Sequence, residues 1–330
     1  MTHSTQTPRR EASGGLDLRA RGRAVLGDRA FRIGTMTAAL LVLAILGLIL
    51  ITTLRQAWPA FSQEGIGFFT SEVWSPNDSS FGTLALAYGT LVVSLIAVII
   101  AVPVSIAIAL CLTELAPRRL RTAMVTVIDL LAAVPSVVFG LWGILVIGPA
   151  LVPVYQWLHD VLGGIPLIGS LFGEASQGRT FMTAGLIVAI MIVPIITSIT
   201  REVFATVPDA DKQAALALGA TRWEMIKGAV FPHSFGGMVG AVMLGLGRAM
   251  GETIAVALVI GAAIQITPNL FATGEALPSV IVRQWGESGG VHTAALIGCG
   301  VVLFIITVII NYLARFIVRR AEIRMRGAAA

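Results

Sequence analysis

The chain has 330 residues, 56% of them hydrophobic and only 12% charged, with a mean hydropathy of +0.87 and a net charge of +5. Soluble domains carry about 25% charged residues, so this composition excludes a soluble globular protein and indicates an all-α polytopic membrane protein. Its two cysteines, Cys111 and Cys299, stand in apolar runs without CxxC or metal-ligand spacing, so neither a disulfide framework nor a metal site is expected.

Residues 1–32 are polar and arginine-rich without apolar periodicity, and are expected to form a disordered cytoplasmic tail. The first apolar run, about 33–54, exceeds the roughly 7–15 residues of a signal-peptide core and should remain as a membrane helix. Five more runs of spanning length follow, at about 83–113, 124–151, 181–200, 233–265 and 293–315, giving about six transmembrane helices. Residues 33–82 then hold the first helix and an outer loop, and 83–320 the main transmembrane domain. Pro103, Pro135 and Pro194 lie inside spans, where neighbouring helices re-satisfy the freed backbone groups. The alternation of a membrane β-barrel is absent.

If the spans alternate, nineteen of the 23 basic residues fall on one side, and Arg55, Arg179 and Arg283 on the other. The positive-inside rule places both termini in the cytoplasm. The basic excess is therefore a topology signal, with attraction to anionic membrane lipids, and not a nucleic-acid footprint. The outer loops, about 55–82, 152–180 and 266–292, carry Trp58, Trp74, Trp157 and Trp285, which suit an interfacial belt. The block WSPNDSSFG, 74–82, is a turn-rich lead into the second span.

The longest inner loop, about 201–232, is the most informative. Pro208 and Asp209 open a helix, and Gly219 stops it. Thr221 and Glu224 have capping-box spacing and open a second short helix, expected to end at Pro232. Ala214, Ala215 and Leu218 offer a small-residue surface that a partner can approach closely.

This loop, QAALALGATRWEMIKGAVFP, resembles the EAA motif of ABC-importer permeases, with Gln213, Ala214, Ala215, Gly219, Ile226 and Pro232 at the motif positions and Gln213 replacing the usual Glu. The resemblance implies coupling helices at about 205–230 that fit a groove on a cytoplasmic ATPase. AAVPSVVFGLWG, MIVPIITSITREVFATVP and GLGRAMGETIAV further resemble the permeases of the phosphate-specific Pst system, of the PstC type more than the PstA type. What this implies is a type I importer permease of MetI-like fold, multi-pass in the bacterial inner membrane. It would form a heterodimer with a PstA-type permease, and work with two copies of a PstB-type ATPase, an extracytoplasmic PstS-type binding protein and inorganic phosphate. Neither Lys212 nor Lys227 is followed by Ser or Thr, so the chain has no Walker A site. No catalytic residue and no cofactor are expected on this chain, and ATP-Mg would be used by the partner ATPase.

GLGRAMGETIAV raises a question of cost. Arg248 and Glu252 are i, i+4, and are expected to share one helix face about 24 Å along a helix from Pro232, near the membrane middle. A charge there costs about 2.5–3.5 kcal/mol even on milder scales. Arginine can bind phosphate oxygens with its planar fork. Glu252 can hold Arg248 and accept the proton of monohydrogen phosphate in a hydrogen bond, a donor that fully ionised sulfate cannot offer. The alternative is a structural pair pinning the helix to its neighbours. Gly236, Gly240, Gly247 and Gly251 have small-xxx-small spacing and are expected to let this helix pack closely.

Ser136, behind Pro135, marks a possible broken-helix point on the path, or else bonds backbone within its own helix. Thr253 and Gln265 are polar in the fifth span and serve either the path or packing. Asp129 is expected to snorkel or pair with an inner arginine, and His159, His233 and His292 are read as non-catalytic. The reading is a phosphate importer subunit; other cargo such as sulfate or molybdate, or a proton-coupled carrier using Glu252, are the alternatives.

Overall fold

Prolines and glycines, more than charges, punctuate this chain. The computed structural model describes residues 22–327 except 167 and 176. The first 21 positions of the tail lie outside the described residues, while 22–32 are helical. The helix α1 runs Gly22–Glu64, longer at both ends than its apolar run. The chain divides into two units, residues 1–52 and 53–330. In the first unit the apolar side chains of α1 from Phe31 onward are exposed.

The second unit continues through α2 (Gly67–Thr70) and a two-stranded hairpin, β1 (Trp74–Ser75) and β2 (Ser80–Phe81), paired antiparallel with Trp74 opposite Phe81. Trp74 does not join an interfacial belt. It is buried, and its Nε1 donates to Gln284 Oε1 at 2.9 Å. The helix α3 (Leu84–Leu110) ends in a π-turn, Cys111–Leu115, and Pro117 caps the next helix, α4 (Arg118–Ala132).

The expected third span is two pieces. Pro135, extended at ψ 140°, separates α4 from α5 (Ser136–Trp142). A π-turn at Gly143–Ile147 joins α5 to α6 (Gly148–Leu162), so the helix that spans is Ser136–Leu162. Then come α7 (Phe181–Ala205), α8 (Asp209–Ala217), α9 (Arg222–Met225), a π-turn Ile226–Val230 and α10 (Phe231–Gly251). Pro232 does not end the second loop helix. It sits in the first turn of α10, and the wide turn before it accommodates the bond its missing N–H cannot make to Gly228. The fifth spanning helix is thus Arg222–Gly251.

The short helices α11 (Ile254–Val259) and α12 (Leu277–Gln284), joined by irregular chain, precede α13 (Val291–Gly327). Six helices among the described residues are long and apolar enough to cross a membrane, two of them with boundaries shifted from the hydropathy pattern.

The core lies where α3, α7 and α10 meet, around Val93, Ala97, Ile192, Ile196, Ala241 and Ala249. Two glycines permit it. A Cβ on Gly185 would meet Ile96 of α3 at 2.4 Å, and one on Gly245 would meet Ile196 at 2.6 Å. The expected small-xxx-small face is not this contact: Gly240, Gly247 and Gly251 face open space, and Gly237 and Gly245 make the close approaches to α7.

Candidate functional site

Arg248 and Glu252 do not lie on one helix. The helix α10 stops at Gly251, and Glu252 is extended at ψ 124°. Glycines at 245, 247 and 251 weaken helix propensity here. The Thr253 hydroxyl donates to Gly251 O at 3.0 Å and so competes with the helical pattern. The two charges still face each other, with Arg248 Nη2 4.0 Å from Glu252 Oε2. Their surroundings are unequal: the arginine side chain is 44% exposed and the glutamate side chain 8%. Among the described residues Glu252 has no other ion-pair partner and its carboxylate accepts no hydrogen bond.

Arg248 lines a cavity of about 1230 Å³ between α7, α10 and α13. Gly236, Gly240 and Gly247 form one wall, and Asn311, Tyr312 and Arg315 of α13 another. The open glycine face of α10 is therefore cavity wall, which explains why nothing in the chain packs on it. Asn311 was legible only as one of a few polar residues in the last span, and Arg315 as one of the topology arginines; their common cavity with Arg248 is a product of packing.

Ser136 and Thr253 come to neighbouring helix starts. A Cβ on Gly140 would meet Ala255 Cα at 3.0 Å, and one on Gly143 would meet Val259 at 2.7 Å, so α5 and α11 run side by side in parallel. Their first residues, Ser136 and Ile254, and the break at Glu252 lie at the same end. The Ser136 hydroxyl makes no hydrogen bond within its own helix, against one of the two expectations. Ser136 opens the continuous helix 136–162, whose first N–H groups lack intrahelical acceptors. Asp129 is exposed on α4 and pairs with no described arginine, and Gln265 lies beyond the helices, donating to Thr273 O at 2.8 Å.

A second buried charge cluster was not anticipated. Glu275 is buried; its Oε1 accepts from Ser279 Oγ and from Ala276 N, and its Oε2 lies 3.5 Å from Arg283 Nη2. The same Arg283 nitrogen donates to Ala257 O at 2.9 Å, taking up a carbonyl near the C-terminal end of α11. Burial pushes the Glu275 carboxyl above its ordinary range, against the Ser279 hydroxyl, Arg283 and the Ala276 N–H, which pull it down.

The loop of α8 and α9 forms as expected at its turns. Pro208 precedes α8, Gly219 adopts φ +87°, and Thr221 and Glu224 form the reciprocal capping box, Glu224 N donating to Thr221 Oγ1 and Thr221 N to Glu224 Oε2. Gln213, Ala214 and Leu218 are exposed, the last at 90%, while Ala215 turns inward and packs with Ile226 on a cluster around Phe204 and Val230. With Leu216, Trp223 and the exposed Pro232, the loop presents an apolar surface that the chain itself leaves uncovered.

A family model described as "Binding-protein-dependent transport system inner membrane component" matches residues 101–326. The chain belongs to this family. Within it, the chain is 42% identical over 304 residues to a protein of Mesorhizobium japonicum named "Phosphate transport system permease protein PstC", covering 92% of this chain and 93% of the relative. A protein of the same name from Xylella fastidiosa is 41% identical, covering 96% and 97%. "Phosphate transport system permease protein PstC 2" of Mycobacterium tuberculosis is 40% identical, covering 88% and 91%. Among solved structures, a chain of a bacterial alginate ABC transporter in complex with a periplasmic protein superposes with a TM-score of 0.60 at 19% identity, covering 89% of this chain and 97% of that one. This likeness establishes the fold, that of the type I ABC-importer permeases, and the α8–α9 loop occupies residues 209–225 inside the matched family region.

Proposed function

We propose that the chain is one permease subunit of an ATP-driven importer of inorganic phosphate in the bacterial inner membrane, with both termini cytoplasmic. It would pair with a PstA-type permease and work with two copies of a PstB-type ATPase and an extracytoplasmic PstS-type binding protein. The names borne by relatives at about 40% identity support the cargo. The observation that carries the mechanism is the half-exposed Arg248 on a large cavity, beside a buried carboxylate at a helix break.

In this reading Arg248 is the anion contact, Glu252 sets its orientation and accepts a hydrogen bond from the hydroxyl that monohydrogen phosphate retains, and Ser136 and Thr253 line the path. Broken helices are tolerated at membrane depth where they line a cavity. The surface around Gln213, Ala214 and Gly219 docks the ATPase, with Ile226 and Pro232 fixing the loop to α10. ATP-Mg acts in that partner, and this chain alternates access without catalysing a reaction. Affinity resides in the binding protein, so Arg248 needs to guide phosphate and not to trap it.

The test is phosphate uptake by vesicles holding the full complex, with hydrolysis followed in the same vesicles. Arg248→Gln should abolish uptake while leaving assembly and binding-protein-stimulated hydrolysis. Uptake near wild type would overturn the assignment of Arg248.

A further inference from the structure

Besides the apolar cluster around Phe204, Met225 and Ile226, the coupling loop meets the rest of the chain through one carboxylate that no motif includes. Lys212, just before Gln213 in α8, donates from Nζ to Glu114 Oε1 at 2.6 Å. This is the shortest of the ion pairs among the described residues, and the two side chains are only 16% and 11% exposed. Charge-assisted bonds at this distance are about twice as strong as neutral ones, and withdrawal from water reduces their screening by salt. From the other helix of the loop, Arg222 Nη1 donates to the backbone oxygen of the same residue at 3.4 Å. Glu114 thus receives one contact from the α8 side of the loop and one from the α9 side.

Glu114 belongs to the π-turn that finishes α3. Carbonyls in a last turn have no helical donor, and cations are favoured there. The junction also has a π-turn on its other side, Ile226–Val230, and such turns inside α-helices recur at functional positions. A cavity of about 230 Å³ lies in the junction, lined by Glu114, Lys212, Leu216, Arg222 and Met225 among others, so the ion pair sits beside a gap at the edge of the apolar cluster and not inside it.

The helix α8 has little else to hold it. None of its residues is buried, and Ala215 alone joins the neighbouring apolar cluster. Beyond Glu114 the connection is stiff. The helix α3 packs along α7 through Gly185 and Ile96, and Ser105 Oγ donates to Val193 O at 3.2 Å. In turn α7 packs on α10, the helix of Arg248, through Gly245 and Ile196.

We infer that Glu114 is a positioning residue that transmits motion of the coupling helix to α3, through its ion pair with Lys212, and so ties hydrolysis in the ATPase to movement of the phosphate path. This rests on the importer reading. It makes Glu114 a transmission element and not a docking residue, since it faces α8 from within the chain.

The experiment compares Glu114→Gln, Lys212→Gln and the reversed pair Glu114→Lys with Lys212→Glu, each in the complete complex in vesicles. Phosphate taken up and ATP hydrolysed are measured together. Each neutral variant should lower the phosphate moved per ATP by at least about tenfold, as loss of one partner of a withdrawn pair predicts, while hydrolysis continues. The reversed pair should recover most of that ratio, which a general weakening of the loop would not allow. A wild-type ratio in Glu114→Gln, or a reversed pair that assembles yet stays as uncoupled as the single variants, would overturn the inference. If a neutral variant fails to assemble, the reversed pair decides: assembly with coupling supports the ion pair, and failure to assemble overturns it. A wild-type complex that moves no phosphate on ATP would instead defeat the importer reading itself.

Discussion

Arg248 and Glu252 meet across the end of a helix, Nη2 4.0 Å from Oε2, with the carboxylate drawn into the protein and the guanidinium turned toward a cavity. The inequality has a consequence. A pair made only to pin α10 would bury both ends or expose both. Here the buried member holds the exposed one by charge at a distance too long for a hydrogen bond, which leaves guanidinium donors for an anion entering the cavity. The extended residue at 252 makes this possible by taking the carboxylate off the α10 axis.

Lysine at position 248 separates charge from shape. It keeps the cation but loses the fork that matches two phosphate oxygens. Arg248→Lys should retain measurable uptake at a rate about tenfold below wild type, the scale of one charge-assisted bond, and Arg248→Gln should fall further. Initial rates at saturating binding protein and ATP check this. Equal rates for lysine and arginine would show that only the field matters.

Glu252→Gln addresses selectivity. An amide in place of the carboxylate removes the repulsion that a doubly charged anion without a proton would feel, and supplies a donor. Inhibition of phosphate uptake by sulfate should become stronger than in the wild type by about tenfold, equivalent to about 1.4 kcal/mol of lost discrimination. Unchanged inhibition would assign discrimination to the binding protein alone.

How much of this was legible depended on what each signal reports. Hydropathy located six spans, because bilayer crossing is a property of composition over about 20 residues. It could not see the break at Glu252, where apolar residues continue on both sides and only the backbone changes direction; the break at Pro135 was legible from the proline and not from hydropathy. Turn chemistry did better. Gly219, Pro208 and the Thr221–Glu224 box sit where local rules require them, since caps depend on a few adjacent residues. The glycine pattern misled for a physical reason. A small-xxx-small repeat marks a face that admits close approach without naming the occupant, and on α10 that face is cavity. Glu114 and Glu275 were invisible because their ion-pair partners are 98 and 8 residues away and only the fold brings the charges together.

Gly89 tests how closely α3 carries the segment after α11. A Cβ built on Gly89 would come within 1.9 Å of the Glu275 backbone oxygen. Gly89→Ala must push that segment off α3, with an overpacking cost of about 1–3 kcal/mol. The detergent-solubilised complex should melt lower, and combined with Glu275→Gln the two losses should depart from additivity, since both act on the segment at residue 275. Full additivity would place the two effects in separate regions.

Glu275 makes the stability of this segment depend on pH, with a definite sign. Its carboxyl ordinarily titrates at 4.5, and burial raises that value in the folded chain despite Ser279, Arg283 and the Ala276 N–H. Above 4.5 the unfolded chain has released the proton while the folded chain still holds it, so the folded state binds more protons and raising the pH works against folding. The contribution from Glu275 is complete below the unfolded value, declines as pH rises through the folded one, and is constant beyond it. Glu275→Gln cannot titrate and keeps an oxygen to accept from Ser279. Melting temperatures of wild type and Glu275→Gln, taken across the acidic range upward from pH 4.5, should therefore diverge with rising pH, the wild type losing ground to the variant and then running parallel. Curves parallel throughout would mean that the Arg283 ion pair, and not burial, governs this carboxylate, and Arg283→Gln would then bring out the divergence that the ion pair had suppressed.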